Sequence, residues 1–336
     1  LFPYTTLFRS KFARPIAKYL GMKYNEVIVS TSNVLSLIPK LSETYSEPFA
    51  DTSQVPMMLI SQFTSNAVKV AISGDGGDEL FGGYNHYNWS NSMWPIINNT
   101  PQSIKKIAIY ALSRAPVDLY KGLYFSNAYP LTNRVEKLIN SLDASSLFEL
   151  YESITSKKTF SEKVIKKGRD KILTPKNFHY KVKDNLNKMM LHDSLNFLPD
   201  DVLLKVDRAA MSSSLETRAP FLNSKVIEFA WRLPVEMKIY KGNKKYLLQK
   251  LLNNYVPRSL TDRKKMGFGM PIGKWLRGEL KDWAICLLDK DIVDDIGILD
   301  YHYIIQLWEE HQSKKYDRSQ ELWRVLCFIS WFKRYR

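Results

Sequence analysis

Apolar and polar positions in the N-terminal quarter of the chain alternate between helical spacing and short continuous apolar runs. Between residues 11 and 20 apolar side chains recur every three or four positions, which predicts a helix that ends at Gly21. The same patterns predict helices over 34–41 and 57–67, a proline-containing loop over 47–56, and strands over 26–30 and 68–72, the last of them buried. Strands that alternate with helices favour an α/β fold with a parallel sheet.

The pattern changes beyond residue 84. Strand patterns become scarce, and amphipathic helical stretches separated by prolines replace them. We therefore predict a boundary near residue 92, with a sheet-containing part over 11–92 and a mostly helical part over 93–336. Within the second part we expect Asp200 to cap a helix with an apolar stripe, and Pro220 to break the helical pattern.

Length and composition indicate a soluble globular protein. The 336 residues suffice for one large domain or two ordinary ones, and 45% are hydrophobic and 25% charged. No run of about 18 apolar residues occurs, so no membrane span is predicted. The cysteines, Cys286 and Cys327, lack metal-ligand spacing and fit a reducing compartment, which predicts a cytoplasmic protein.

Positive charge leaves a second class of function open. The chain carries 49 Lys and Arg against 34 Asp and Glu, a net charge of +15, and much of the excess lies in 157–188. A basic helical module that binds RNA or an acidic partner would have such a charge. No RNA-binding signature or interleaved aromatic pattern accompanies the basic stretch, so a solvated helical face is the favoured interpretation.

The string SGDGGDELFGGY over 73–84 directly follows the strand predicted at 68–72. Glycines allow a sharp turn and a close approach of the backbone to a ligand. Carboxylates beside such a turn are suited to Mg²⁺ that bridges to phosphates, which predicts a nucleotide site at the carboxyl edge of a parallel sheet. A solvated acidic loop is the alternative for the glycines alone.

Two later strings contain further charged residues. The stretch 192–222 includes LPDDVLLKVDR and LETRAPFL, and spacing alone would make it an ordinary core helix with solvated charges. The stretch 263–271, RKKMGFGMP, combines cations with a flexible Gly-x-Gly loop that can close over leaving phosphates. A solvated basic turn is the alternative for this second stretch.

Together these strings resemble the asparagine synthetase family of the glutamine-hydrolysing type, and specifically its C-terminal synthetase domain. The match runs from about residue 11 to the end and departs at Asn223 and Ala210, where the family usually has Asp and Ser. The resemblance implies one domain over 11–336 with a PP-loop parallel sheet, like that of adenine-nucleotide alpha-hydrolases. That sheet is expected to be incomplete here and to carry a large, mostly helical remainder.

The family chemistry implies ATP and Mg²⁺ as cofactors. A carboxylate attacks the α-phosphorus and releases pyrophosphate, and ammonia from glutamine then displaces AMP to form the amide. Carried over residue by residue, the catalytic residues are Asp75 and Lys265, the ATP contacts are Ser73 and Gly74, the metal ligand is Asp78, and the residues that support the substrate site are Asp51, Lys205, Asp207, Arg208, Glu216 and Arg218.

Parts of the family pattern are missing from the chain. The family's first phosphate loop, S-G-G-x-D-S, occurs nowhere in it, and neither does the glutaminase domain. Residues 1–10 match no expected family segment, so we interpret them as a non-native lead on a truncated chain that is inactive alone. Aspartate is the expected acceptor, with sugar or secondary-metabolite carboxylates as alternatives, and the loop 47–56 is the expected acceptor wall. Glutamine-dependent family members often pair, so the resemblance allows a homodimer, although the sequence does not fix the oligomeric state.

Overall fold

The computed structural model describes residues 6–26, 31–114, 131–155, 158–166, 182, 184–261 and 270–336. Contacts divide the chain into two compact units. The first unit consists of Leu1–Gly83, Asp193–Pro271 and Ser330–Arg336, and the second of Tyr84–His192 and Ile272–Ile329. The boundary near residue 92 between a sheet-containing part and a mostly helical part stays a prediction.

The first unit combines helices with a small parallel sheet. Its elements are α1 (Thr6–Tyr19), α2 (Thr31–Leu37), a 3-10 turn (Ile38–Lys40), α3 (Leu41–Tyr45), α4 (Gln54–Ser65), β1 (Val70–Ile72), α5 (Gly77–Phe81), a π-helix (Leu198–Leu203), α12 (Leu204–Met211), β2 (Glu216–Arg218), a 3-10 turn (Pro220–Leu222), α13 (Ser224–Arg232), α14 (Val235–Lys238), α15 (Tyr246–Asn253) and α16 (Arg258–Thr261).

The described secondary-structure elements of the second unit are helices, and Ile165 and Leu299 form an isolated antiparallel bridge. Its elements are α6 (Asn85–Asn99), α7 (Gln102–Arg114), α8 (Leu131–Leu142), α9 (Leu147–Thr155), α10 (Lys158–Val164), α17 (Ile272–Trp275), α18 (Lys281–Leu287), α19 (Lys290–Ile296) and α20 (Tyr301–Gln312). Two more helices, α11 (Asn185–Leu195) and α21 (Ser319–Tyr335), contribute residues to both units.

The predicted N-terminal helices are present, although the stretch 34–41 is divided among α2, a 3-10 turn and α3. Helix α1 ends where Gly21 adopts φ +64°, and the Met22 amide donates to the carbonyl of Ala17 over 2.8 Å. This arrangement satisfies a carbonyl at the helix end, as a left-handed C-terminal glycine commonly does. Helix α4 begins three residues before its predicted start, because Pro56 fits a first helical turn, where its missing N–H costs no hydrogen bond.

The sheet of the described residues consists of β1 and β2 in parallel, with Val70 opposite Glu216 and Ile72 opposite Arg218. A parallel sheet was predicted, but burial of β1 was not predicted correctly. Ile72 is 78% exposed and Val70 41% exposed. The described elements leave that face of the strand uncovered. Of the predicted strand 26–30, residues 27–30 lie outside the described ranges.

The stretch around Pro199 differs from the prediction. Asp200 does not cap a helix: it lies exposed within the first turn of the π-helix, whose N-terminal neighbour Phe197 provides no side-chain cap. Proline lacks an N–H and its ring clashes with the carbonyl four residues earlier, and a widened π turn accommodates both effects. The apolar stripe is confirmed in α12, where Val206 and Ala209 are buried.

The helical pattern also ends earlier than Pro220. Helix α12 stops at Met211, and Ser214 adopts a left-handed φ of +53°. The residues that follow are extended because Glu216–Arg218 pair with β1. Tertiary pairing with a distant strand therefore overrides the local pattern.

Ion pairs of Arg318, whose side chain is 12% exposed, connect helices of the second unit. The Arg318 guanidinium donates two bonds of 2.8 Å to the carboxylate of Glu136 and a third, of 2.6 Å, to Glu310. The first pair is a bidentate ion pair, a geometry that is both strong and directional. Together the three hydrogen bonds join α8 and α20 to the chain just before α21.

His311 forms a second buried polar centre in this unit. Its Nε2 lies 3.0 Å from the Gly273 carbonyl, and its Nδ1 lies 3.2 Å from the backbone N–H of Arg318. The carbonyl requires a donor and the amide requires an acceptor, so the ring is neutral with its proton on Nε2. Burial and the charge of Arg277 together lower the pKa of His311 to about 4, against the opposing effects of Asp317 and of the hydrogen bond to Gly273.

Three further sequence predictions concern the basic stretch, the cysteines and membrane-spanning helices. Most of the basic stretch 157–188 lies outside the described residues, although Lys158–Val164 forms α10. Cys286 is exposed, Cys327 is buried, and both are free thiols. Among the described helices, none is both long enough and apolar enough to cross a membrane.

The stability of the protein should fall at acidic pH because His311 is neutral in the fold. The unfolded ring binds a proton near its ordinary pKa of 6.5, whereas the folded ring does so only near 4. Its contribution is therefore full above 6.5 and is lost as the pH falls towards 4, by about 3 kcal/mol. Thermal unfolding between about pH 7.5 and about pH 4.5 measures this change.

The matched variants are His311→Gln and His302→Gln, since His302 is exposed. We expect His311→Gln to be less stable at neutral pH but to show a flatter loss of stability on acidification. His302→Gln should keep the wild-type slope. Equal slopes in all three proteins would contradict the assignment.

Candidate active site

The glycine-rich turn after β1 uses its glycines as predicted. Gly76, with φ +83°, begins α5, and Gly82, with φ +68°, ends it. Residues that carry a Cβ rarely adopt such backbone angles, which favours glycine at both positions. Space is a second constraint, since a Cβ on Gly76 would lie 2.3 Å from Cδ2 of Leu222.

The segment 220–222 supports the turn from a distant part of the chain. The ring of Phe221 packs edge-on against Phe81 with a centroid distance of 5.7 Å. Leu80 and Phe81 form a buried cluster with Ala230 of α13, against which Leu222 also packs. The structure thus joins the glycine string to the LETRAPFL string, which the sequence presents as separate motifs.

A carboxylate and an ammonium lie together beside the turn. The Nζ of Lys245 is 3.2 Å from Oδ1 of Asp78, and both side chains are about one-third exposed or less. Gly83 makes room for them, since its Cβ would lie 1.8 Å from Asp78 Oδ1 and 2.4 Å from Lys245 Cε. An ion pair this exposed contributes about 1 kcal/mol or less to stability, so its geometry matters more than its strength.

Sequence reasoning missed Lys245. It precedes α15 in a left-handed conformation, with φ +51°, after Gly242 at φ +78°. A non-glycine residue in this region carries strain, and such residues concentrate at functional sites. The available signal was the turn Lys-Gly-Asn-Lys-Lys over 241–245, a glycine turn followed by cations.

The predicted ATP contacts lie at the end of β1. The Ser73 amide donates to the Arg218 carbonyl over 2.8 Å, which continues the sheet pairing into the turn. Among the described residues no atom lies within 4 Å of the position that a Cβ on Gly74 would occupy, so they leave open space there. Asp75 is half-buried two residues after Ser73.

Asp51 and Lys205, both predicted to support the site, are in direct contact. The Nζ of Lys205 lies 2.7 Å from Asp51 Oδ2 and 3.2 Å from Oδ1 of Asp201, a carboxylate that sequence reasoning missed. Burial raises the pKa of Asp51, but hydrogen bonds from Asp201 and Ser53 and the charge of Lys205 outweigh it, leaving about 2. Burial and the neighbouring Asp51 raise the pKa of Asp201 to about 7.

The remaining predicted site residues are either exposed or outside the described residues. Asp207 and Arg208 are exposed on α12. Glu216 and Arg218 form an exposed ion pair of 2.6 Å on one face of β2. Lys265 lies outside the described residues.

The departure at Asn223 has a simple structural account. Its side chain accepts a 3.0 Å hydrogen bond from the Lys225 amide and caps α13. Asn and Asp cap helices about equally well. Asn at this position therefore preserves the local fold.

The described carboxylates could bind Mg²⁺ only as part of a shell that phosphates and waters complete. Among the described residues, no group of three or more His, Cys, Asp or Glu side chains forms an all-protein metal site. Mg²⁺ is usually bound by one or two carboxylates, with phosphates and waters completing its shell. Asp78 provides such a carboxylate beside a glycine turn.

A strand, a left-handed glycine turn and a charged pair at the carboxyl end of a parallel sheet define an α/β enzyme domain. A family model described as asparagine synthase matches residues 9–333, and the chain belongs to that family. The resemblance stated from the motifs is thereby confirmed.

Named relatives support the same assignment. The chain is 31% identical to glutamine-hydrolyzing asparagine synthetase 1 of Bacillus subtilis (strain 168), over 95% of this chain and 49% of that protein. It is 29% identical to a putative glutamine-hydrolyzing asparagine synthetase of Mycobacterium bovis, over 94% of this chain and 47% of that protein. Amidase chyE of Penicillium rubens is 22% identical over 91% and 48%, respectively. The chain spans about half the length of these relatives.

Alanine substitutions at Gly76 and Gly74 should distinguish a glycine that the turn requires from one that faces open space. We expect Gly76→Ala to lose about 1–3 kcal/mol, because it combines a left-handed backbone with a clash against Leu222. Gly74→Ala should change stability by about 0.5 kcal/mol or less, since its Cβ points into open space. Chemical denaturation of both variants measures the difference, and equal losses would refute the account of the turn.

Proposed function

We propose that residues 11–336 form the synthetase domain of a cytoplasmic, ATP-dependent amide ligase. The observation that carries the proposal is the Asp78–Lys245 pair at the glycine turn after β1, in a chain of the asparagine synthase family. The acceptor carboxylate oxygen attacks the α-phosphorus of ATP, and the bond to pyrophosphate breaks. Ammonia then attacks the acyl carbon of the acyl-adenylate, and AMP leaves as the amide forms.

Residues of the turn and two lysines have separate roles in the first step. Ser73 and Gly74 bind the nucleotide, since a glycine backbone without a Cβ can approach phosphates closely. Asp78 holds Mg²⁺, which when bound neutralises charge on the phosphates. Lys245 lies on the same side as Asp78 and adds a fixed positive charge there, and Lys265 contacts the pyrophosphate.

Asp75 serves the second step. Attack by ammonia leaves an extra proton on the nitrogen of the forming amide, and a carboxylate within reach can accept it. Asp75 is half-buried next to Ser73 and Gly74, so a bound nucleotide would bring the acyl carbon near it. Its side chain is one methylene shorter than that of Glu, so the acyl group must approach the turn closely.

Aspartate is the proposed acceptor because the bacterial relatives carry the name asparagine synthetase. The loop 47–53, between α3 and α4, is proposed as a wall of the acceptor pocket. A fungal relative is named an amidase, which keeps sugar or secondary-metabolite carboxylates as acceptors to be compared with aspartate. A glutaminase domain is the proposed source of ammonia.

We further propose that this chain does not form an acyl-adenylate alone. The string S-G-G-x-D-S, which would contribute the second half of the phosphate contacts, is absent from its sequence. The glycine turn would then bind Mg-ATP without completing the reaction. Aspartate-dependent exchange of labelled pyrophosphate into ATP by the purified chain would refute this part of the proposal.

Removal of the Asp78 carboxylate should weaken Mg-ATP binding by roughly tenfold or more, the usual effect of losing one charged hydrogen-bonding group. Gly83→Ala should weaken it similarly, because the new Cβ occupies the place of the Asp78 carboxylate. Calorimetric titration of Asp78→Ala, Gly83→Ala and the wild type measures the affinities. Asp294→Ala removes an exposed carboxylate elsewhere and serves as the control.

Unchanged affinity in both site variants would contradict the assignment of the turn. The same variants then distinguish an enzyme from a basic binding module. In a longer chain that supplies the S-G-G-x-D-S loop and a glutaminase domain, Asp78→Ala should abolish ATP-dependent amide formation. Salt-sensitive RNA retention that survives Asp78→Ala, without amide formation, would favour the binding module.

A further inference from the structure

A buried group of charges in the first unit is not used by the proposed chemistry. We call Asp51, Asp201 and Lys205 the Asp51 cluster. Their side chains are 19%, 29% and 11% exposed, respectively, and the Lys205 ammonium lies within 3.2 Å of both carboxylates. Burying charges is costly unless each is paired and hydrogen-bonded, so the cluster must be specifically arranged.

Asp51 connects a loop to a helix through its two carboxylate oxygens. Oδ1 accepts hydrogen bonds from the amide and the hydroxyl of Ser53, at 2.5 Å and 2.6 Å. Oδ2 accepts from Lys205 of α12 at 2.7 Å. One oxygen therefore shapes the loop 47–53, while the other attaches that loop to α12.

The π-helix brings the second carboxylate to the same ammonium. Asp201 lies four residues before Lys205, a spacing that places both side chains on one helical face. Asp201 lies within the π-helix Leu198–Leu203, two residues after Pro199. Asp200, next to it, is exposed instead.

The carboxylates of Asp51 and Asp201 are held at the same ammonium, 2.7 Å and 3.2 Å from its nitrogen. Two ionised carboxylates held at one site repel each other, so a proton on one of them stabilises the arrangement. Asp51 already accepts three bonds from Ser53 and Lys205 and stays ionised. The proton therefore belongs on Asp201, whose pKa is raised to about 7 by burial and by Asp51.

Few other titratable groups of the described residues face the cluster. Tyr45 of α3 has its hydroxyl 3.5 Å from the Lys205 carbonyl, and burial raises the pKa of this tyrosine. Helix α4, which packs on α12, contains no titratable side chain. Glu43 of α3 is exposed and pairs with Arg334, and the charged residues of β2 are exposed and pair with each other.

We propose that Asp201 and Lys205 are positioning residues: protonated Asp201 and the Lys205 ammonium together hold Asp51, and thereby the loop 47–53, against α12. Loss of the Asp201 proton places two negative carboxylates side by side and loosens the loop. The link to acceptor binding rests on the proposed function, whereas the attachment of the loop does not.

The direction of the pH effect follows from the raised pKa. A protonated Asp201 contributes stability that is fully present below the unfolded pKa of 3.8 and is lost as the pH rises through about 7. Each pH unit above that value lowers the protonated fraction about tenfold. The loop should therefore open more often in mildly alkaline solution than in mildly acidic solution.

Hydrogen–deuterium exchange of peptides covering 46–54 tests the attachment in the purified chain. After correction for intrinsic rates, we expect wild-type exchange to be roughly tenfold faster at about pH 8.5 than at about pH 6. Asp201→Asn, which imitates the protonated acid, should keep the loop protected at both pH values. Asp200→Asn alters the exposed neighbour and should keep the wild-type pH dependence.

Variants of Lys205 test the role of the cation. Lys205→Met should lose protection of the loop at both pH values, and Lys205→Arg should restore it. If Lys205→Met fails to fold, the comparison of Asp201→Asn with Asp200→Asn still decides the matter. Equal loop exchange of the wild type at both pH values, or identical behaviour of the two Asn variants, overturns the proposal.

Kinetics of the longer ligase chain test the link to the acceptor. Asp201→Asn should leave kcat at saturating acceptor near the wild-type value and remove the rise of the acceptor KM above neutral pH. An unchanged KM profile with the expected exchange result would reject the link and keep the attachment. Absence of amide formation in every variant would instead reject the proposed function.

Discussion

The parallel pairing of β1 with β2 is the interaction on which the candidate site depends. It joins two short strands that are far apart in the sequence, and the Ser73 amide extends the pairing into the glycine turn. The same pairing brings residues 220–222 beneath α5. Because Gly76 has no Cβ, Leu222 can pack directly on the backbone of the turn. The backbone that carries Asp78 is thus held by packing against residues 220–222.

Buried charge is the second organising feature, and each unit contains its own example. In the first unit Lys205 compensates Asp51 and Asp201, while in the second unit Arg318 binds the carboxylates of Glu136 and Glu310. Lys205 and Arg318 are only 11% and 12% exposed, and either charge would cost several kcal/mol if it were left unpaired. Each group therefore has one arrangement in which all members are satisfied, which makes it a strong constraint on the local fold.

Prediction from the sequence succeeded where local patterns decide the structure. The helix that ends at Gly21 and the stripe of α12 depend only on residues a few positions apart. It failed at Asp200 and Pro220, where a π turn and pairing with β1 override local preference. It also failed for the burial of Ile72, because the cover of a strand face comes from other elements.

The sequence alone determined the family, the glycine turn and the candidate residues from Ser73 to Asp78, because these are properties of contiguous strings. Only the tertiary structure decided that Lys245 lies beside Asp78 and that Asp201 completes the pair of Asp51 and Lys205. It also decided that the pKa of Asp201 is raised while that of Asp51 is lowered. Contacts between distant residues and the pKa of a buried group depend on what packs around them, and neither spacing nor composition contains that information.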